Sequence, residues 1–155
     1  MPLRTTRRGF MRYVMAWGAA GIGLTAGGYG YVTRLEPGWL QVEHVPVPVP
    51  DLPEALEGLR LVHLSDLHLR PYTTVAHIRH AVSAANRLHP DLVLLTGDYV
   101  TGDLGALDDL VPALSALNPR FGSLACLGNH DWWAGPRPIR EGLALAGVRV
   151  LDNEG

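Results

Sequence analysis

Residues 92–98 read Leu92-Val-Leu-Leu-Thr-Gly-Asp98: four apolar residues, a threonine, a glycine and a carboxylate. A short apolar run that stops at a glycine is a buried strand closed by a turn. The pattern repeats on both sides. Residues 59–64 are mainly apolar and run into Ser65-Asp66-Leu67-His68, and residues 123–127 run into Gly128-Asn129-His130-Asp131. Helical periods lie between. Residues 73–89, capped by Thr73 or Thr74, put Val75, Ile78, Val82 and Ala85 on one face. Residues 104–117 carry Leu107, Leu110, Val111, Leu114 and Leu117 in a stripe. Residues 139–146 form a short helix closed by Gly147, and residues 148–151 a fourth strand. The order β-α-β-α-β-α-β predicts an α/β fold, a layered parallel sheet. Its nearly continuous apolar strands predict burial on both faces.

The unusual polar residues all follow strands. Asp66 to Asp98 is 32 residues and Asp98 to Asn129 is 31, one strand-helix repeat each. In a parallel sheet the carboxyl ends of the strands share one edge, where α/β proteins bind ligands. The three clusters are therefore expected to converge. Asp66 and His68 alternate around one residue, which in strand geometry sends both side chains the same way. Asp98 adds a carboxylate able to bridge two cations, and Asn129 a neutral amide oxygen. Mixed oxygen and nitrogen donors suit divalent Mn, Zn or Fe. Gly97 and Gly128 allow sharp turns and an open site. His130 can donate a proton to a leaving oxygen, and Asp131 can orient His130. Trp132 and Trp133 either pack the loop or form a wall for an apolar or ring-bearing substrate, or a contact with a membrane interface. Any one of these motifs is common by chance; their ordered recurrence after successive strands is what carries the reading.

The 155 residues allow one domain with tails. All 13 basic residues are Arg, which excludes a Walker-A lysine and Schiff-base chemistry. Residues 1–36 carry five Arg and one Glu, whereas residues 37–155 carry eight Arg and fourteen acids. So acidic a body argues against a nucleic-acid partner. The one cysteine, Cys126, reads as a small core residue of the third strand.

The basic end has its own pattern. Between Arg12 and Arg34 lie 21 uncharged residues, six of them Gly. As a helix they would span about 31 Å, near the thickness of a bilayer core. A basic flank before an apolar run predicts a hydrophobic N-terminal helix serving either as a cleaved signal or as a retained anchor. Thr6-Arg7-Arg8-Gly9-Phe10-Met11-Arg12 resembles a twin-arginine export signal. The expected organisation is a leader or anchor over 1–33, an extended linker or edge strand over 34–57 that includes alternating prolines at 46, 48 and 50, and the main domain over 58–155.

Asp66-Leu-His68, Gly97-Asp98 and Gly128-Asn-His-Asp131, in that order, resemble the calcineurin-like metallophosphoesterases over residues 60–155. Arg34-Leu-Glu-Pro-Gly-Trp39, Gly128-Asn-His-Asp-Trp-Trp-Ala-Gly135 and Val150-Leu-Asp-Asn153 are similar to a membrane-associated bacterial phosphodiesterase subgroup with a twin-arginine leader. The resemblance implies two divalent ions, with Asp66 and His68 on one, Asp98 bridging, Asn129 on the other, and His130 assisting phosphoryl transfer. It also implies a phosphoester substrate, including lipid-linked ones such as a UDP-diacylglucosamine-like pyrophosphate. Other implied partners are the membrane and the twin-arginine export machinery, with the catalytic domain on the outer side of the cytoplasmic membrane. Members of this family carry further histidines downstream, one alone and a Gly-His-x-His pair, and no His follows His130 here. The chain is thus expected to be the N-terminal portion of such an enzyme, hydrolysing aryl phosphodiesters poorly by itself. The rival reading is a membrane-tethered module without catalysis.

Overall fold

The computed structural model describes residues 6–31 and 39–153, in two compact units, Met1–Val45 and Pro46–Gly155. In the first unit, helix α1 (Arg7–Gly30) starts at Thr6, whose side-chain oxygen accepts from the Gly9 amide at 3.2 Å. None of its residues is buried. The expected hydrophobic anchor needs correction. The helix forms, but no helix among the described residues is long and apolar enough to cross a membrane. Glycine offers almost no apolar side-chain surface, and transfer out of water scales with such surface at roughly 25 cal/mol per Å². Six glycines therefore dilute a segment of adequate length. Arg4 and residues 34–38 of the Arg34–Trp39 segment lie outside the described residues.

The second unit contains β1 (Leu61–Leu64), α2 (Val75–Arg87), β2 (Leu92–Leu95), α3 (Leu107–Leu114), β3 (Ser123–Ala125), α4 (Asn129–Ala134), α5 (Pro136–Leu145) and β4 (Val148–Val150). The four strands are parallel in the order β1-β2-β3-β4, with Leu61 beside Leu92, Val93 beside Ser123 and Ser123 beside Val148. Thr74 caps α2 by accepting from the His77 amide. The Asp103 side chain accepts from Gly105 at 2.9 Å and opens the short 3-10 turn that leads into α3. Helix α4 was not anticipated. The chain turns helical directly at Asn129, before a break at Gly135, whose φ is 136°.

The sheet is buried on one face rather than two. Val62, Val93, Leu95, Ser123, Ala125 and Val148 are buried. In the helical layer α2 packs on α3, α3 on α5, and α5 on β4. On the other face Leu61 is exposed, and Leu92, Leu94 and Leu124 are only half-buried. Right-handed crossovers between neighbouring strands taken in sequence put every helix on the same side. His63 is on this open face, exposed, 2.6 Å from Thr96 Oγ1, and not in the core. Cys126 is also exposed, because β3 ends one residue before it.

Candidate metal centre

All three polar clusters lie just past strand ends, at the carboxyl edge. The loop after β1 is stitched to the loop after β2 by backbone bonds. Asp66 N donates to Gly97 O (3.2 Å), His68 N to Asp98 O (2.8 Å) and Leu69 N to Tyr99 O (3.0 Å). Asp66, His68 and Asp98 have left-handed backbone, with φ of 54°, 41° and 55°. Non-glycine residues seldom adopt that region, and such strain gathers at functional sites. Strand alternation is therefore not what aligns Asp66 with His68. Both sit beyond β1 in left-handed turns, with Leu67 buried between them.

The side chains meet around His68. Its Nε2 is 3.7 Å from Asp66 Oδ1 and 3.7 Å from Asp98 Oδ2. The two carboxylate oxygens are therefore at most twice that distance apart. Thr101 Oγ1 lies 3.3 Å from His68 Nδ1, which leaves Nε2 facing the carboxylates. Asp98 Oδ1 accepts from the His130 amide at 3.0 Å, so its other oxygen is the one turned to His68. His68, Asp98 and His130 each offer a donor atom, all within 4.8 Å of one another. Two ligands of one cation at ~2.1 Å sit roughly 3–3.5 Å apart; the 3.7 Å pairs lie just outside that spacing, and the chemistry of these donors, imidazole and carboxylate, fits a divalent ion. Asp66 is the more exposed carboxylate, 66% against 13% for Asp98, and accepts from Ser65 Oγ at 2.5 Å. Asn129 opens α4 and is exposed.

Asp131 is fully buried. Its Oδ2 accepts from the Asp98 and Gly128 amides at 2.8 and 2.9 Å, and its Oδ1 from Tyr99 N at 2.9 Å. Burial holds its carboxyl pKa above the usual carboxylate range, and these backbone donors offset only part of that rise. The hydrogen bonds of its side chain go to backbone amides rather than to the His130 ring. Tyr99, also fully buried, donates its hydroxyl to Leu95 O and Cys126 O at 2.9 Å each. Burial raises that hydroxyl's pKa, which keeps it a donor.

Aromatic rings border the histidines. His130 stands edge-on to His68 with ring centroids 4.8 Å apart, and the Trp133 ring lies 5.0 Å from that of His130. Tyr72 stands perpendicular to His68 at 6.5 Å. Trp132 carries the Arg140 guanidinium 5.7 Å from its ring centre. Tyr72 and Thr101 were not singled out in the sequence. Neither sits in a motif, and only the loop paths bring them to His68.

A parallel sheet that gathers two carboxylates and two imidazoles at its carboxyl edge defines an α/β protein with a metal-type centre. Residues 59–153 match the family model described as calcineurin-like phosphoesterase, and the chain belongs to that family of hydrolases acting on phosphoric esters. It is 40% identical over 126 residues to a zebrafish (Danio rerio) transmembrane protein with metallophosphoesterase domain, covering 81% of this chain and 28% of the relative. It is 33% identical over 138 residues to the phosphodiesterase YaeI of Escherichia coli, covering 84% and 49%. It is 34% identical over 103 residues to the UDP-2,3-diacylglucosamine pyrophosphatase LpxG of Chlamydia muridarum, covering 66% and 31%. The chain thus spans half or less of the length of these curated relatives.

Proposed function

We propose that this chain carries the metal centre of a phosphoester hydrolase that acts on phosphodiesters or pyrophosphates, including lipid-linked ones. The observation that carries the reading is the meeting of Asp66, His68, Asp98 and His130 at one sheet edge. In this reading Asp66, His68, Asp98 and Asn129 hold two divalent ions, Mn, Zn or Fe. Such ions activate a water and neutralise charge on the transferring phosphoryl group. Asp98, with one oxygen held by the His130 amide, presents the other to the centre. The His130 ring, between His68 and Trp133, holds a proton for the leaving oxygen. Trp133, Trp132 and Tyr72, all exposed, supply aromatic surface for an apolar or ring-bearing group of the substrate. The names of the LpxG and YaeI relatives support this choice of substrate class. Expected for a form of this chain extended at its C-terminus is Mn²⁺-dependent hydrolysis of bis(p-nitrophenyl) phosphate, at least ~100-fold above the same form carrying Asp98→Ala. Equal rates for the two proteins would remove the assignment.

We further propose that residues 1–33 form a twin-arginine export leader rather than a bilayer span. Residues 34–57 then act as a linker and residues 58–155 work on the outer side of the cytoplasmic membrane. Thr6-Arg7-Arg8-Gly9-Phe10 supports this, as does the Gly-rich, weakly apolar run behind it. Replacing Arg7 and Arg8 together by Lys is expected to retain the protein in the cytoplasm on cell fractionation. Unchanged export would leave only a general signal.

A further inference from the structure

The loops that bring the ligands together are joined in two different ways. The loops after β1 and β2 are joined by successive backbone bonds from Asp66, His68 and Leu69 to Gly97, Asp98 and Tyr99. The loops after β2 and β3 are joined largely through one side chain. Asp131 takes amides of Asp98 and Tyr99 from one loop and of Gly128 from the other. Below it, Cys126 N donates to Leu95 O, and the Tyr99 hydroxyl reaches Cys126 O. We infer that Asp131 is a positioning residue. Its carboxylate stands in for the missing backbone ladder and sets the separation between Asp98 and the Asn129-His130 pair.

The chemistry requires a carboxylate. Both oxygens accept, Oδ2 from two backbone N–H groups and Oδ1 from one, and backbone donors cannot be reversed. An asparagine would turn an NH₂ toward one set of donors and leave them buried without an acceptor. Burial removes water as a substitute. Because His130 N itself donates to Asp98 Oδ1, a shift of the Gly128 loop moves the Asp98 carboxylate with it.

This inference rests on the metal-centre reading, and the test separates the two. Mn²⁺ is titrated into the full chain by electron paramagnetic resonance, and Co²⁺ absorption reports the coordination geometry. Asp131→Asn is expected to weaken Mn²⁺ binding ~10–100-fold, the range for residues that orient ligands, and to alter the Co²⁺ bands. Leu143→Ala, a core change in α5, serves as the stability control. It is expected to lower the unfolding midpoint yet leave Mn²⁺ affinity and the Co²⁺ bands unchanged. Wild-type affinity in Asp131→Asn would overturn the positioning role. Failure of His68→Ala to weaken binding would instead overturn the metal centre. A measurement on the wild type covers the case in which Asp131→Asn does not fold. The amides of Asp98, Tyr99 and Gly128 should exchange with solvent as slowly as those of the central strand β2, although they lie in loops. Fast exchange there would overturn the inference as well.

Discussion

Replacing Asp98 by alanine is expected to reduce the Mn²⁺ affinity of the chain by at least ~100-fold, more than any other single change at the centre. Asp98 is the best-placed of the donors. One of its oxygens is 3.7 Å from His68 Nε2, its side chain is only 13% exposed, and the His130 amide fixes its other oxygen. Outer residues that merely orient ligands are worth about 10–100-fold, so loss of a charged ligand should exceed that range. Asp66→Ala should cost less, on the order of 10-fold, because Asp66 is 66% exposed and water can replace part of what it offers. Asp98→Asn should fall between, since an amide oxygen turned to the centre remains a neutral ligand but gives up the bond from the His130 amide. Calorimetric titration of the three variants checks the order. A loss for Asp66→Ala equal to that for Asp98→Ala would mean that the two carboxylates share the ion evenly.

Alanine at Gly97 is expected to be the most damaging single methyl group in the domain, lowering stability by about 2–5 kcal/mol. Two costs combine. Gly97 has φ near 100°, which an L side chain rarely adopts. A Cβ there would overlap Gly128 N and lie 2.7 Å from Gly128 Cα, so it meets backbone rather than a flexible side chain. Gly128 gives a different result. Its φ of −89° suits any residue, but a Cβ would overlap Asp98 Oδ1 and lie 2.7 Å from Asp98 N. Gly128→Ala should therefore weaken Mn²⁺ binding by displacing the Asp98 carboxylate, though by less than Asp98→Ala does, with a smaller loss of stability than Gly97→Ala. Urea unfolding together with Mn²⁺ titration separates the two. Equal destabilisation by both substitutions would show that backbone strain at Gly97 contributes little.

The open sheet face shows where local pattern stops being informative. The strands read as apolar on both sides, yet Leu61 is exposed and Leu92, Leu94 and Leu124 are only half-buried. Strand composition reports that a surface prefers burial and carries no record of what stands against it. Cys126 and His63 follow the same rule. Each lies in an apolar neighbourhood of the sequence, and each is exposed because of where β3 ends or which face it takes. The aromatic neighbour Tyr72 meets His68 through a loop path that no spacing encodes, whereas Trp133 meets His130 as its i+3 neighbour on α4, a helix the local pattern did not announce.

Taken alone, the sequence determined the alternation of strands and helices, the parallel sense of the sheet, and the sheet edge where Asp66, His68, Asp98 and the Gly128-Asn-His-Asp131 cluster lie. These follow from periodicity and from the geometry of a βαβ repeat, both local. The left-handed turns at Asp66, His68 and Asp98, the service of His130's amide to Asp98, and the commitment of Asp131 to the Asp98 and Tyr99 N–H groups were decided by tertiary structure. The reason is physical. The donors in those bonds are main-chain amides, present at nearly every residue. Which of them a carboxylate finds depends on residues 32 or 33 positions apart, in different loops, being held side by side.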